Sequence, residues 1–328
     1  MAQFSIGVDL GGTNLRIAAV DESGRILQTI NTATEVARGR DAVVKEMSEA
    51  IRSLALKHHS AGSLLGIGIG VPGIIDMKSG MIRQSPNLQD WQNYPVKQQI
   101  ERLLSTDVFL ENDANSAALG EKWLGAGKNE SDICMFTLGT GVGGGIVLNG
   151  KVWHGMTGMA GELGHICVDP NGHPCGCGSK GCLEQYASAT AVTRMAKEHI
   201  ARGGAEGLEQ LSKSDAEFSA KTIYELAMKG DAGAKGVYQR VGGALGIVIA
   251  GMVNALNLPM YVIGGGVSNS WDAFAPAMME QIKQRSFVYT ATLGDDPTAP
   301  PVQRTEVRKA LLGGDAGLLG AARLPALS

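Results

Sequence analysis

An α/β fold of two similar halves is the class this sequence predicts, on three observations. Short apolar segments alternate with amphipathic ones along the 328 residues, the pattern of strands feeding helices around parallel sheets. A strand–glycine turn–strand–tight turn–strand unit opens the chain and recurs from residue 133. The 46 glycines cluster at particular turns rather than in low-complexity linkers. The length itself suggests about two domains.

The elements follow in order. Phe4–Leu10 is apolar and breaks at Gly11-Gly12. Leu15–Val20 resumes, Asp21–Gly24 turns, and Arg25–Ile30 continues. The near copy runs through Ile133–Leu138, Gly139-Thr140-Gly141, Gly143–Leu148, the hairpin pair Asn149-Gly150, and Lys151–His154. Leu10-Gly-Gly-Thr13 thereby aligns with Leu138-Gly-Thr-Gly141. Asp41–His58 carries Val43, Met47, Ile51 and Leu54 at helical spacing. Leu65–Val71 is a short strand ending at Pro72-Gly73. Val96–Leu104 reads as helix, Val108–Leu110 as strand and Ala114–Leu124 as helix. Ala187–Ala201 and Thr222–Met228 read as helices, and Ala232–Leu256 as a long helix with glycines at 236, 242, 243, 246 and 251. Pro259–Ile263 is a strand running into Gly264-Gly265-Gly266. Ala273–Arg285 is a helix, Val302–Val307 a strand and Gly314–Ala322 the last helix. Gly203–Ala220 is polar and reads as a loop or a broken helix.

Composition narrows the class. Hydrophobic residues make up 44% and charged residues 19%, ordinary for a globular enzyme with a large core. A net charge of −3 without basic clusters gives no footprint for nucleic acid or an anionic membrane. No apolar run reaches the roughly eighteen residues that a bilayer requires. Met1-Ala-Gln-Phe-Ser5 enters a strand at once, without the pattern of a secretory leader, so a cytoplasmic location is expected.

The densest chemistry lies in His165–Glu184. Three of the five cysteines (Cys175, Cys177, Cys182) fall within eight residues, amid glycines that let the backbone turn tightly. Thiolates with an imidazole are the ligand set of a closed, structural zinc site. A disulfide framework fits poorly, because the cysteine count is odd and no secretory segment precedes it. Cys134, in the apolar run Ile133–Phe136, and Cys167 suit scattered thiols instead, Cys134 in the core. The Cys-x-Cys spacing departs from the usual Cys-x-x-Cys. The fourth ligand is open among His165, His173 and Glu184. The loop follows a glycine-rich segment and Gly161-Glu162-Leu-Gly, which suggests that metal, polar ligands and phosphate share one cleft.

Asp9-Leu-Gly11-Gly12-Thr13-Asn14 puts a carboxylate at a strand end, then a glycine turn and a hydroxyl. Backbone N–H groups can approach phosphate oxygens there, and Asp9 can hold Mg²⁺ directly or through water. An ordinary hairpin turn would look the same, but two related loops together can clamp a triphosphate. There is no Gly-x-x-x-x-Gly-Lys-Ser/Thr run, which excludes a Walker-type ATPase. Glu111-Asn112-Asp113-Ala-Asn115 lies where a strand passes into a helix, the edge where α/β sheets collect ligands. Asp113 is a natural general base there, while Asn112 or Asp113 could equally be only a helix cap. Glu162, His165 and Glu184 add the multi-point hydrogen bonding that a polyhydroxy ligand needs. Ile263-Gly-Gly265-Gly266-Val-Ser268 would let an adenosine lie against backbone; alone it reads as a strand-to-helix turn.

These motifs resemble, over nearly the whole chain, the ROK family of repressors, open reading frames and sugar kinases, and most closely its ATP-dependent glucokinases. Asp9–Asn14 resembles the first phosphate motif and Leu138–Gly144 the second, with Gly139, Thr140, Gly141 and Gly143. Glu111–Asn115 resembles the catalytic motif. Gly161-Glu-Leu-Gly-His165 followed by Cys175-x-Cys177-Gly-x-x-Gly-Cys182-x-Glu184 resembles the family's sugar and zinc signature in full. The resemblance implies a two-lobed, actin-like (ribonuclease-H-like) ATPase fold with duplicated βββαβαβα-type halves. Residues 1–113 with 308–328 would form the smaller lobe and 114–307 the larger one carrying the zinc loop. It implies Asp113 as catalytic base, and Asn112, Asp113, Glu162, His165 and Glu184 on the sugar, with Gly73 and Asn87 as further contacts. Zinc would rest on His165, Cys175, Cys177 and Cys182, one ring nitrogen of His165 binding metal and the other facing sugar. ATP, Mg²⁺, a hexose such as glucose, and a homodimer are implied as well. Kinases for N-acetylmannosamine, N-acetylglucosamine, fructose or allose share the motifs. Ile74, uncharged beside Gly73, favours plain glucose. A non-enzymatic sugar sensor is disfavoured by both intact phosphate loops and by the lack of room for an N-terminal helix-turn-helix. A polyphosphate donor is disfavoured by the lack of a basic tract.

Overall fold

The computed structural model describes residues 2–60, 62–85, 87–203, 205–214, 216–293 and 304–327. β1 (Gln3–Leu10), β2 (Asn14–Asp21) and β3 (Ile26–Ala33) form an antiparallel meander. β4 (Ser63–Val71) joins β1 in parallel. A small hairpin of β5 (Ile74–Asp76) and β6 (Met81–Gln84) follows, and β7 (Val108–Asn112) then pairs with β4 in parallel. The order is β3-β2-β1-β4-β7. A second sheet comprises β8 (Ile133–Leu138), β9 (Val142–Leu148), β10 (Lys151–Val152), β11 (Met260–Gly264) and β12 (Glu306–Lys309), ordered β10-β9-β8-β11-β12. Both sheets thus run third, second, first, fourth, fifth, and the predicted duplication extends to topology.

Helices fill corresponding slots. α1 (Arg40–His58), α2 (Val96–Leu104) and α3 (Asp113–Trp123) belong to the first half. α4 (Glu184–Ala187), α5 (Ala189–Arg202), α6 (Glu206–Lys213), α7 (Ala220–Met228) and α8 (Ala232–Leu256) separate β10 from β11. α9 (Trp271–Arg285), α10 (Phe287–Ala291) and α11 (Ala316–Arg323) complete the chain. The segment 203–220, expected as a loop or broken helix, contains α6 among its described residues. The helix expected over Ala187–Ala201 is divided at Ser188, whose extended backbone and side chain, accepting from Ala191 N at 3.0 Å, start α5 afresh. The strand expected from Val302 begins at Glu306; residues 302 and 303 lie outside the described set.

By contact the chain groups into two units. One is Met1–Met135, Gly145–Gly161 and Leu311–Ser328; the other is Phe136–Gly144 and Glu162–Ala310. The sequence-drawn lobes assign α3 to the second group, whereas the contacts keep it with the first because it packs on α11. That packing is close. A Cβ on Gly320 would lie 1.7 Å from Ser116 O, and one on Gly68 of β4 1.8 Å from Ala321 O, so only glycine lets α11 seat against α3 and the sheet. Ile6, Val8, Ile17, Met47, Ile51 and Ile69 form the first unit's core, each worth about 1.5–3 kcal/mol on full burial.

In the second unit α8 is the central helix, capped by Asp231, whose Oδ1 accepts from Ala234 N at 2.7 Å. α8 has the length and apolarity to cross a membrane, which corrects the expectation that no segment does; 61% of its most apolar window is buried within the protein. Two of its glycines answer to packing: a Cβ on Gly242 would meet Phe274 O at 2.1 Å and one on Gly246 Met278 O at 2.5 Å, where α9 crosses.

Candidate active site and zinc loop

In the first unit, parallel register aligns the candidate residues at one sheet edge. Asp9 pairs with Gly70, Gly70 with Glu111, and Val71 with Asn112. The carboxyl ends of β1, β4 and β7 thus bring Asp9, the Pro72-Gly73 turn and Asn112 together, where α/β sheets bind ligands. Burial pushes the Asp9 carboxyl up, and Arg16, its partner on β2, pulls it partly back. The turn after Asp9 closes with Gly11 N donating to Asn14 O at 2.8 Å. A Cβ on Gly12 would lie 2.9 Å from Asn87 Cβ, which seats the loop on the predicted contact Asn87.

Asn112 is the N-cap of α3. Its Oδ1 accepts from Ala114 N (2.9 Å) and Asn115 N (3.2 Å), and its Nδ2 donates to Gly73 O at 3.1 Å. Asp113 is the first helical residue, and its Oδ1 accepts from Ala114 N at 2.9 Å. Behind them Glu111 is 2% exposed. Its Oε1 accepts from Asn112 N (2.9 Å) and Asn115 Nδ2 (3.0 Å), and its Oε2 lies 2.7 Å from His154 Nε2. That hydrogen bond holds the His154 imidazole above its usual range.

The second unit carries the other glycine loop. Gly139 N donates to Gly141 O (2.9 Å), Ala189 N to Gly139 O (2.8 Å), and Thr190 Oγ1 to Thr140 O (2.8 Å). Glu184 Oε2 accepts from Val142 N at 3.0 Å, and a Cβ on Gly141 would meet that oxygen at 2.4 Å. Gly265, at φ +82°, backs onto the same loop: a Cβ there would lie 2.5 Å from Leu138 O. The expected nucleotide residues Gly139–Gly141 and Gly265 are therefore neighbours, with Glu184 beside them.

His165, Cys175, Cys177 and Cys182 converge, their ligand atoms all within 4.8 Å of one another. Cys177 Sγ lies 3.6 Å from Cys182 Sγ, and Cys175 Sγ 3.7 Å from His165 Nδ1. Tetrahedral zinc with bonds of about 2.0–2.3 Å sets ligand atoms about 3.3–3.8 Å apart, so these two separations fit that ion. Burial, with two neighbouring sulfurs, pushes the Cys182 thiol up to about 12, a protonation that a dication would reverse. All five cysteines are free thiols, so the cluster is no disulfide framework. Metal on Nδ1 leaves the proton on Nε2, which faces Glu162 Oε2 at 3.9 Å. His173 turns to its neighbour instead, Nδ1 lying 2.9 Å from Pro174 O.

The family model for ROK matches residues 5–326. The chain belongs to the ROK family. It is 37% identical over 319 residues to the glucokinase of Thermotoga maritima, covering 97% of this chain and 96% of that one. Among solved ROK structures, the glucokinase of Streptomyces griseus in complex with glucose and AMPPNP is 35% identical, with a TM-score of 0.77 over 99% of this chain and 100% of that one. The ROK hexokinase of Thermus thermophilus is 32% identical, with a TM-score of 0.80 over 99% and 98%. The fold is accordingly the actin-like, ribonuclease-H-like one of ROK sugar kinases.

Reading the sequence missed the support beneath the ROK motifs. The Glu111–His154 pair joins residues 43 apart. Glu121, wholly buried, accepts from Ala126 N (2.8 Å) and from Leu311 N and Leu312 N (3.1 and 2.7 Å), tying the start of the C-terminal segment to α3. Arg16 binds Gly314 O and Asp315. One sequence carries no signal for such distant pairs.

Proposed function

We propose that this ROK protein is an ATP-dependent hexose kinase that transfers the γ-phosphoryl group of ATP to the 6-hydroxyl of glucose. The observation that carries the reading is the Asp9–Gly73–Asn112-Asp113 edge of the first sheet, in a chain 35% identical throughout to a glucokinase solved with glucose and AMPPNP. Asp113 takes the proton from the 6-hydroxyl as the oxygen attacks. Asn112 orients it, clamped between the α3 N-terminus and Gly73 O. Glu162, His165 and Glu184 take further sugar hydroxyls, with Gly73 and Asn87 at the margin. Gly11–Asn14, Gly139–Gly141, Gly143 and Gly265-Gly266 cradle the nucleotide. Asp9 is the residue to hold Mg²⁺, which when bound neutralises phosphate charge. Zinc at His165, Cys175, Cys177 and Cys182 is structural, since four protein ligands close its shell. Much of the catalysis is positioning.

The cytoplasm, glycolytic use and a homodimer without nucleic-acid or membrane partners complete the reading. The test is a coupled ADP-release assay with Mg·ATP across hexoses and N-acetylhexosamines. Turnover strongest on glucose supports the assignment. A preference for another sugar moves the acceptor, and no turnover on any sugar defeats the kinase reading.

A further inference from the structure

A cavity of about 510 Å³ lies within the second unit, between α5, α8 and the Asn171–His173 turn of the zinc loop. Its size is that of a small-molecule site. Arg194, Arg202, Arg240, His173, His199 and Tyr186 line it, with Glu198 as its acidic lining residue. So basic a wall stands out in a chain of net charge −3. Two of the guanidiniums, those of Arg194 and Arg240, are held in place. Arg240 stacks on Tyr186, 4.8 Å from the ring centroid, and reaches Asp169 at 3.3 Å. Arg194 binds Glu198 and Gln185 O, while its Nε is buried without a partner. Arg202 shares Glu198 at 3.9 Å, so one carboxylate serves two guanidiniums and a positive excess remains.

We infer that this cavity is a binding site for a phosphate dianion, free or as the monoester of a small sugar, separate from the residues assigned to sugar and nucleotide above. Planar guanidinium forks match phosphate oxygens. Arg240 already covers the Tyr186 ring, so a base stacking on that face would have to displace the guanidinium. Small phosphates or sugar phosphates suit the cavity better than nucleotides. Arg194 ties the site to Gln185, which adjoins Glu184 in α4. An occupant that draws Arg194 toward itself would act on the carboxylate that holds Val142 N.

The experiment is isothermal titration of the zinc-loaded protein, saturated with Mg·AMPPNP and glucose, using inorganic phosphate in one arm and glucose 6-phosphate in the other. Two variants attack the site differently. Arg202→Ala with Arg240→Ala removes charge. Gly236→Leu fills the cavity, since a Cβ there meets only His199 ring atoms at 3.6–3.7 Å. Both should keep basal turnover and weaken binding at least about tenfold, the loss of one good charged contact. Binding of phosphate alone identifies the free ion as ligand, and tighter binding of the ester identifies a sugar phosphate. Wild-type protein that binds neither probe at millimolar concentration overturns the inference, as does equal binding by both variants. Saturation of the active site keeps the outcome independent of the kinase reading: should AMPPNP and glucose not bind, the variants still report whether phosphate occupies this cavity.

Discussion

Replacing Glu111 tests whether the catalytic edge depends on a buried carboxylate that never touches substrate. Glu111→Gln keeps shape and volume. Its amide oxygen can still accept from Asn112 N and Asn115 Nδ2, now 2.9 and 3.0 Å from Oε1. Its NH₂ must then face His154 Nε2, now 2.7 Å from Oε2, and can donate only to a neutral ring. What is lost is the charge assistance in these bonds, about 1–3 kcal/mol. Glu111→Ala strands all three donors in a buried site and should cost roughly 3–5 kcal/mol. The effect depends on pH with a definite sign. The hydrogen bond to Glu111 raises the His154 pKa in the folded state. Its stabilisation is therefore complete below the unfolded histidine value, about 6.5, and fades as pH rises through the higher folded value. Urea unfolding at pH 6 and pH 9 should show a larger Glu111→Gln penalty at pH 6. A penalty that is constant, or grows with pH, would falsify the charged pair. Turnover should fall as well, because Glu111 fixes Asn112 N and Asn115 around Asp113. Full kcat at normal stability in Glu111→Gln would show the edge to be self-supporting.

Three further outcomes are expected. Asp113→Asn should lower kcat about 10²–10⁴-fold while sugar binding, read by intrinsic fluorescence, persists; near-normal kcat would remove Asp113 as base. Cys177→Ser should lose stoichiometric zinc in elemental analysis, lower Tm and weaken sugar binding, since metal affinity is folding free energy here; a zinc-free protein with full activity refutes the structural role. Gly265→Ala forces a side chain into the left-handed region 2.5 Å from Leu138 O. The expected loss is about 2–5 kcal/mol with a raised KM for ATP, and an unchanged melting curve would contradict the packing.

Sequence periodicity revealed what is local. Ile133–Leu138, Val96–Leu104 and Ala232–Leu256 are found with the bounds expected, because apolar runs and caps such as Asp231 and the left-handed Asn257 are written into consecutive residues. The β5–β6 hairpin escaped notice, since three- and four-residue strands carry too few alternations; its turn is set by Asp76 accepting from Lys78 N and Ser79 N at 3.1 Å. Glu121 would be read as a solvated helix residue, yet it is buried to serve N–H groups about 190 residues away. The His165, Cys175, Cys177 and Cys182 cluster was legible because its residues lie close in the chain and their chemistry is narrow. Glu184 holding Val142 N was not, because that contact needs the fold first.

Within the duplicated topology, the two halves differ in the side chains they place at equivalent positions. Aligning Leu10 with Leu138 sets Asp9 against Thr137, so the second copy lacks the carboxylate suited to magnesium. The second copy instead borrows Glu184, which grips its loop through Val142 N rather than standing at a strand end. The helices that follow the fifth strands diverge likewise. α3 opens with Asn112 as cap and Asp113 as first residue. α11 opens after Asp315, whose carboxylate is engaged by Arg16 of β2. The same topological position thus offers the proposed general base in one half and a structural ion pair in the other. Arg16 also lies opposite Asp9 in the sheet register, and its charge opposes the burial that raises the Asp9 pKa. The ion pair at the start of α11 therefore orients the arginine that partly offsets the effect of burial on Asp9.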